Sequence, residues 1–238
     1  MAGTPRQRAR AQTMDDITRI GRLHLAAYGA AALSLRAVAR DLGVVSSAVY
    51  RYVKSRDELL TLLVVNGYDE LGDAVDAALA DVPEDRYFDR FATYGRAIRR
   101  WALAEPATYA LLYGAPVPGY HAPAEQTTDP GTRLVRLLLG IAADALAAGA
   151  LVVPAEDGPM TAGLAAGMEG VRDQFGVALP DPVIARGVLG WAGVFGCVSF
   201  EVFGQYGPDG LGDPEALFER HLLVLADDLG LAPPPADG

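Results

Sequence analysis

Apolar residues recur along most of this chain at the three-and-four spacing of an amphipathic helix, and alternating apolar–polar runs are scarce. The pattern predicts an all-α protein. It is sharpest between Leu33 and Leu60. There Leu35, Val38, Ala39 and Leu42 fall at i, i+3, i+4 and i+7, the inward face of a short helix that Ser34 can N-cap. Gly43 offers the left-handed residue that ends such a helix and turns the chain. Val49 and Val53 give the next helix its inward face and leave Ser46, Ser47, Tyr50 and Arg51 outward. Ser55 caps another helix, with Asp57 and Glu58 in the first turn, where carboxylates suit the helix dipole. Two short helices around a Gly turn, followed by a third, form a helix-turn-helix unit, whose second helix is of the kind that enters a DNA major groove.

The periodicity continues downstream. It predicts a helix from Ser55 to about Ala80, a break at residues 82–85, a helix over Arg86–Ala104 ended by Pro106, and a short one over Ala107–Tyr113. The Pro/Gly-rich stretch Gly114–Gly131 reads as a loop long enough to be a lid. Helices follow over Thr132–Ala148, Met160–Phe175, Pro182–Phe203 and Pro214–Leu229, with a connection at Pro154–Pro159. The chain therefore divides into a head of residues 1–60 with a disordered basic arm over about 1–12, a larger helical body of 61–231, and a disordered tail of 232–238.

Charge changes the picture of the head. The whole chain carries a formal net charge of −10. Residues 1–60 nevertheless hold ten Lys/Arg against five Asp/Glu, a net of +5, which leaves −15 on residues 61–238. A basic head on an acidic body attracts phosphate locally while the body keeps the protein soluble. Arg6, Arg8 and Arg10 can enter a minor groove as a flexible arm or remain a solvated tail.

Other chemistries find little here. His24, His121 and His221 lie far apart in sequence, and HExxH, phosphate-loop and GxSxG motifs are missing, so the chain does not read as an enzyme and calls for no metal or cofactor. The single cysteine, Cys197, lies in an apolar helix and offers no disulfide. The apolar run Val188–Phe200 is 13 residues long, too short to span a membrane. With no secretory signal after the N-terminal arginines, a cytoplasmic protein is expected.

Residues 13 to 60 resemble the tetracycline-repressor (TetR) family of bacterial transcription regulators. The matching positions are Gly29, Ser34, Val38–Ala39, Leu42–Gly43–Val44 and Tyr50, with YRYVKSRDELL closing the motif. Val45 departs from the pattern, standing where the family commonly has a Ser or Thr cap. The resemblance implies that Ser34, Tyr50, Tyr52 and Arg56 contact phosphates, setting register. It implies that Arg36, Ser46, Ser47 and Ala48 face base edges; an Arg can pair bidentately with guanine and an Ala methyl can meet that of thymine. It also implies a homodimer on a palindromic double-stranded operator, a regulatory and dimerisation role for the body, and release by a small-molecule effector. The alternative is a sensor of the same fold that reads no specific DNA sequence.

Gly187, Gly190, Gly193 and Gly196 recur every three residues in an apolar helix, read as a stripe down one side for close helix approach at the dimer interface, the alternative being ligand access to the backbone. The surrounding WAGVFGCVSFEVFG resembles a C-terminal regulatory domain with a Trp–x–x–x–His–Gly signature; Trp191 and Gly196 match, and Phe195 replaces the His. Tyr94, Trp101, Tyr109, Tyr113, Met168, Phe175, Trp191 and Phe195 are candidates to line an effector pocket, or are ordinary core. Glu169 and Arg172, spaced i, i+3, can orient a polar ligand group or form a surface ion pair. A hydrophobic or aromatic effector suits this set.

Overall fold

The computed structural model describes residues 4–153, 158–207, 209 and 211–233. All regular structure among them is helical apart from one antiparallel bridge between Leu151 and Leu231. The helices are α1 (Pro5–Tyr28), α2 (Leu35–Asp41), α3 (Ser46–Tyr50), α4 (Arg56–Leu79), α5 (Tyr87–Ala104), α6 (Pro106–Tyr113), α7 (Ala124–Ala147), α8 (Ala162–Phe175), α9 (Asp181–Val202) and α10 (Pro214–Leu229), with one 3-10 turn at Ala30–Ala32. The chain separates into two compact units.

The first unit comprises Met1–Glu70 and Ala104–Gly131. Ile17, Leu25, Leu35, Val38, Val49, Leu59 and Leu60 form its core, each at most 4% exposed. Full burial of such side chains stabilises by roughly 1.5–3 kcal/mol apiece. Segment 104–131 completes this unit, beyond the boundary expected at residue 60. Ala107, Leu111, Val117 and Tyr120 pack on the head's core, and the Thr61 and Tyr120 hydroxyls lie 3.0 Å apart. Because Thr61 also bonds the Asp57 carbonyl, its hydroxyl donates there and accepts from Tyr120. A Cβ on Gly67 would meet the Thr108 methyl at 2.8 Å, so α4 and α6 approach closely there. Arg22 of α1 bonds Glu70 of α4 and Glu105 before α6.

Two expectations fail in this unit. The arm is not disordered over residues 5–12: α1 begins at Pro5, because Thr4 accepts from the Gln7 N–H (3.3 Å) while Gln7 accepts from the Thr4 N–H (2.7 Å), a capping box with Pro at N1. Residues 1–3 lie outside the described set. Nor is Gly114–Gly131 a loop throughout. Pro123 accepts from the N–H groups of Gln126 and Thr127 and from the Thr127 hydroxyl, opening α7 despite Pro130 within it. The loop shortens to residues 114–123.

The second unit comprises Leu71–Leu103 and Thr132–Gly238. Phe91, Tyr94, Ile98, Leu138, Ile184, Val194, Val198 and Leu222 form its core, and α9 packs most extensively on α10. Arg99 grips Glu201 with two bonds of 2.7 and 2.6 Å, and Arg96 grips Glu219 likewise, fastening α5 to α9 and α10. By length and composition α9 could cross a membrane, yet Val183, Ile184, Val194 and Val198 are buried against protein. The expected disordered tail falls mostly on residues 234–238, and part of the connection at Pro154–Pro159 on 154–157; both lie outside the described residues.

The glycines of α9 do not form a stripe on one side. Three residues turn a helix through 300°, so each glycine steps about 60° around it and Gly187 and Gly196 face opposite ways. A Cβ on Gly193 would meet Leu225 at 2.6 Å, whereas Gly187 and Gly190 have ordinary contacts with Leu139 (3.7 Å) and Phe91 (3.9 Å), and Gly196 faces open space. Close helix approach accounts for Gly193 alone.

Candidate nucleic-acid interface

The turn between α2 and α3 is built on Gly43, at φ +70°. Its N–H donates to Arg40 and that of Val44 to Ala39, both at 3.0 Å, the paired bonds of a Schellman motif. Val49 of α3 is 2% exposed and pins the helix to the core. The opposite side of α3 presents Ser47 and Tyr50 to solvent, with Ser46 and Ala48 half-buried beside them; Arg36 of α2 and Arg51 are also exposed. The residues assigned to base edges are thus all exposed or half-buried on α2 and α3.

The caps are weaker than the sequence promised. Ser34 holds the N-cap position of α2, but its side chain makes no capping bond. Val45 holds that position for α3 and has no oxygen to offer. Ser55 does cap α4, accepting from the Glu58 N–H at 3.1 Å, while the Glu58 carboxylate accepts from the Lys54 N–H at 2.6 Å.

Two candidate phosphate ligands have internal partners. Arg56 donates to the carbonyls of Ala30 (3.1 Å) and Ala31 (3.3 Å), holding the connection between α1 and α2. Tyr52 lies under the Arg10 guanidinium, 5.3 Å from its ring centre. His24, unassigned from sequence, is buried at the end of α1 with Nε2 2.7 Å from the Asp41 carboxylate. That hydrogen bond is the main cause holding the Asp41 carboxyl below the usual carboxylate range.

In the second unit Phe175 and Trp191 meet Leu138, Leu139, Ile184 and Gly187 around an apolar cavity of about 150 Å³. Phe195 lies against Trp191, their ring centres 5.6 Å apart and the planes inclined at 54°. Tyr94, Trp101 and Met168 are buried in the same unit, and no described residue pairs with the Tyr94 hydroxyl, whose pKa burial raises. Tyr109 and Tyr113 belong to the first unit, their rings 5.2 Å apart. Of the eight aromatic and Met candidates, Phe175 and Trp191 line this cavity. Arg172 bonds Glu169 (3.0 Å), Asp181 (2.7 Å) and the Leu179 carbonyl (2.9 Å), tying α8 to the start of α9.

A basic head carrying a helix-turn-helix, followed by a helical unit with an apolar cavity, defines the helix-turn-helix transcription regulators as a class. The model of a "Tetracyclin repressor-like, C-terminal domain" matches residues 91–225. The HTH-type transcriptional regulator Rv1816 of Mycobacterium tuberculosis is 46% identical over 220 residues, covering 92% of this chain and 93% of its own. Among solved structures, regulatory protein SCO4313 is 31% identical with a TM-score of 0.76, covering 94% of this chain and all of that one. A tetR-family regulatory protein from Rhodococcus RHA1 shares the fold at 17% identity, a TM-score of 0.61, and 92% and 97% coverage. The chain belongs to the TetR family of transcriptional regulators.

Proposed function

We propose that the protein is a ligand-responsive repressor that acts in the cytoplasm and binds a palindromic operator as a homodimer. The observation carrying this is the exposed surface of α3 and Arg36 on a basic, well-packed head. Tyr50, Tyr52, Ser34 and Arg56 hold phosphates, and Arg36, Ser46, Ser47 and Ala48 meet bases. Arg56 does so while still tied to the carbonyls of Ala30 and Ala31.

Dimerisation is supported by an apolar face that no described residue covers. Leu189 and Phe200 on α9 are 51 and 54% exposed, and Val224 on α10 is 67% exposed. Gly196, with open space before it, belongs to that face; Gly187, Gly190 and Gly193 are occupied within the chain. Two-fold pairing gives two recognition helices spaced for successive major grooves. A small hydrophobic or aromatic effector occupies the cavity at Phe175 and Trp191. Helix α4 begins in one unit and ends in the other, so a pendulum-like shift of it carries the effector's influence to the head. The effector acts only in so far as it binds the two states differently.

In vitro selection of genomic fragments by the purified protein at near-physiological salt tests this. An inverted-repeat motif is the expected product. Recovery of unspecific fragments alone, lost as salt rises, would replace the proposal with a sensor that reads no specific sequence, a reading the uncapped, five-residue α3 keeps open.

A further inference from the structure

The geometry points to the first turns of α1 as a rigid basic overhang whose Arg6 and Arg10 bind DNA phosphates beyond the footprint of α3. This rests on the DNA-binding reading above and adds a second contact to it. Residues 4–12 are all exposed, whereas Met14 packs on the head's core and Ile17 is fully buried. The start of α1 therefore projects past its own support by about nine residues, roughly 13 Å at 1.5 Å per residue. It is a regular helix there: Arg8 donates to Thr4 at 3.0 Å and the Thr13 hydroxyl to Ala9 at 2.9 Å.

Direction follows from helical geometry. At 100° per residue Arg6 and Arg10 lie within about 20° of Ile17, on the side that faces the head, and Arg8 lies about 180° away. The Arg10 guanidinium meets the Tyr52 ring at 5.3 Å, so the underside of the overhang abuts the segment joining α3 to α4, where the phosphate-contacting tyrosines are assigned. Stacking occupies the face of a guanidinium and leaves its edge of donors for a phosphate. Residues 4–14 contain three arginines and no carboxylate. A duplex passing α3 presents phosphates of complementary charge along this line. Insertion into the minor groove is excluded for this segment, because a helix about 10–12 Å across exceeds a groove about 6 Å wide. The contact is with the backbone and carries no sequence information.

The test measures operator affinity against salt for the full chain and for the Arg6→Ala, Arg8→Ala and Arg10→Ala variants, using the selected operator. Alanine is the best helix former, and circular dichroism checks that helix content is kept. Each of R6A and R10A should flatten the slope of log affinity against log salt by about 0.9 per bound head, with the preferred motif unchanged. R8A should leave the slope at the unaltered protein's value. An unchanged slope in R6A and R10A, or an equal change in R8A, overturns the proposal. Absence of any DNA binding by the unaltered protein defeats the parent reading instead, which tells the two failures apart.

Discussion

Val45 brings no oxygen to the start of the recognition helix, and that helix is only five residues long. A Thr there should stabilise the protein by about 1 kcal/mol, read as a rise in melting temperature, with operator preference unchanged. Tyr50→Ala and Arg36→Ala separate the two kinds of DNA contact. The first should weaken binding to all sequences alike, and the second should relax preference at particular bases by about 1–3 kcal/mol, as competition against operator variants would show. If Arg36→Ala leaves preference intact, its base-reading role is wrong. In the body, the Tyr94 hydroxyl is fully buried without a protein partner among the described residues. A buried unsatisfied group costs about 1–3 kcal/mol, so Tyr94→Phe should raise the stability of the ligand-free protein. Denaturant unfolding measures that gain; a loss would mean that the hydroxyl has a partner after all.

Helices are where the sequence was most legible, and their connections least. The helix expected over Pro214–Leu229 is α10, with Asp213 accepting from the Ala216 N–H at its start and a left-handed Gly230 at its end. The helix-turn-helix was readable because Gly43 and the spacing of Leu35, Val38 and Ala39 are local signals. The start of α1 was readable in principle, since Thr4, Pro5 and Gln7 spell a capping box, but three arginines without apolar neighbours look like a tail. The opening of α7 gave no such cue, because Pro130 and Gly131 argue for a loop and are overridden by bonds to the Pro123 carbonyl. The glycines of α9 misled through a spacing that resembles a stripe and is not one. For the aromatic candidates, periodicity identified buried faces but not which unit each face belongs to. The bond between His24 and Asp41, on separate helices, was invisible for the same reason. Because Asp41 is held below its unfolded value, its contribution is present above the ordinary carboxylate range and is lost as pH falls through the lowered value. Asp41→Asn should therefore weaken the link between α1 and α2 at neutral pH and remove part of the acid dependence of the melting temperature, as thermal melts across pH would show.

For the molecule as a whole, the exposed apolar face of α9 and α10 makes assembly the property to test. Leu189→Asp combined with Val224→Asp places charges on side chains that are already solvent-exposed in the single chain. The fold should survive, and analytical ultracentrifugation should report a monomer with operator affinity lowered at least tenfold; a dimer of unchanged strength would move the interface elsewhere. The packing of residues 104–131 onto the head bears on a different matter, the order in which the protein is made. The N-terminal unit lacks Leu111, Val117 and Tyr120 until more than half the chain has been synthesised. At about 5–20 residues per second, the ribosome needs on the order of ten seconds to go from residue 60 to residue 131. During that interval the nascent head is an unfinished core whose apolar flank waits for Leu111, Val117 and Tyr120 to cover it.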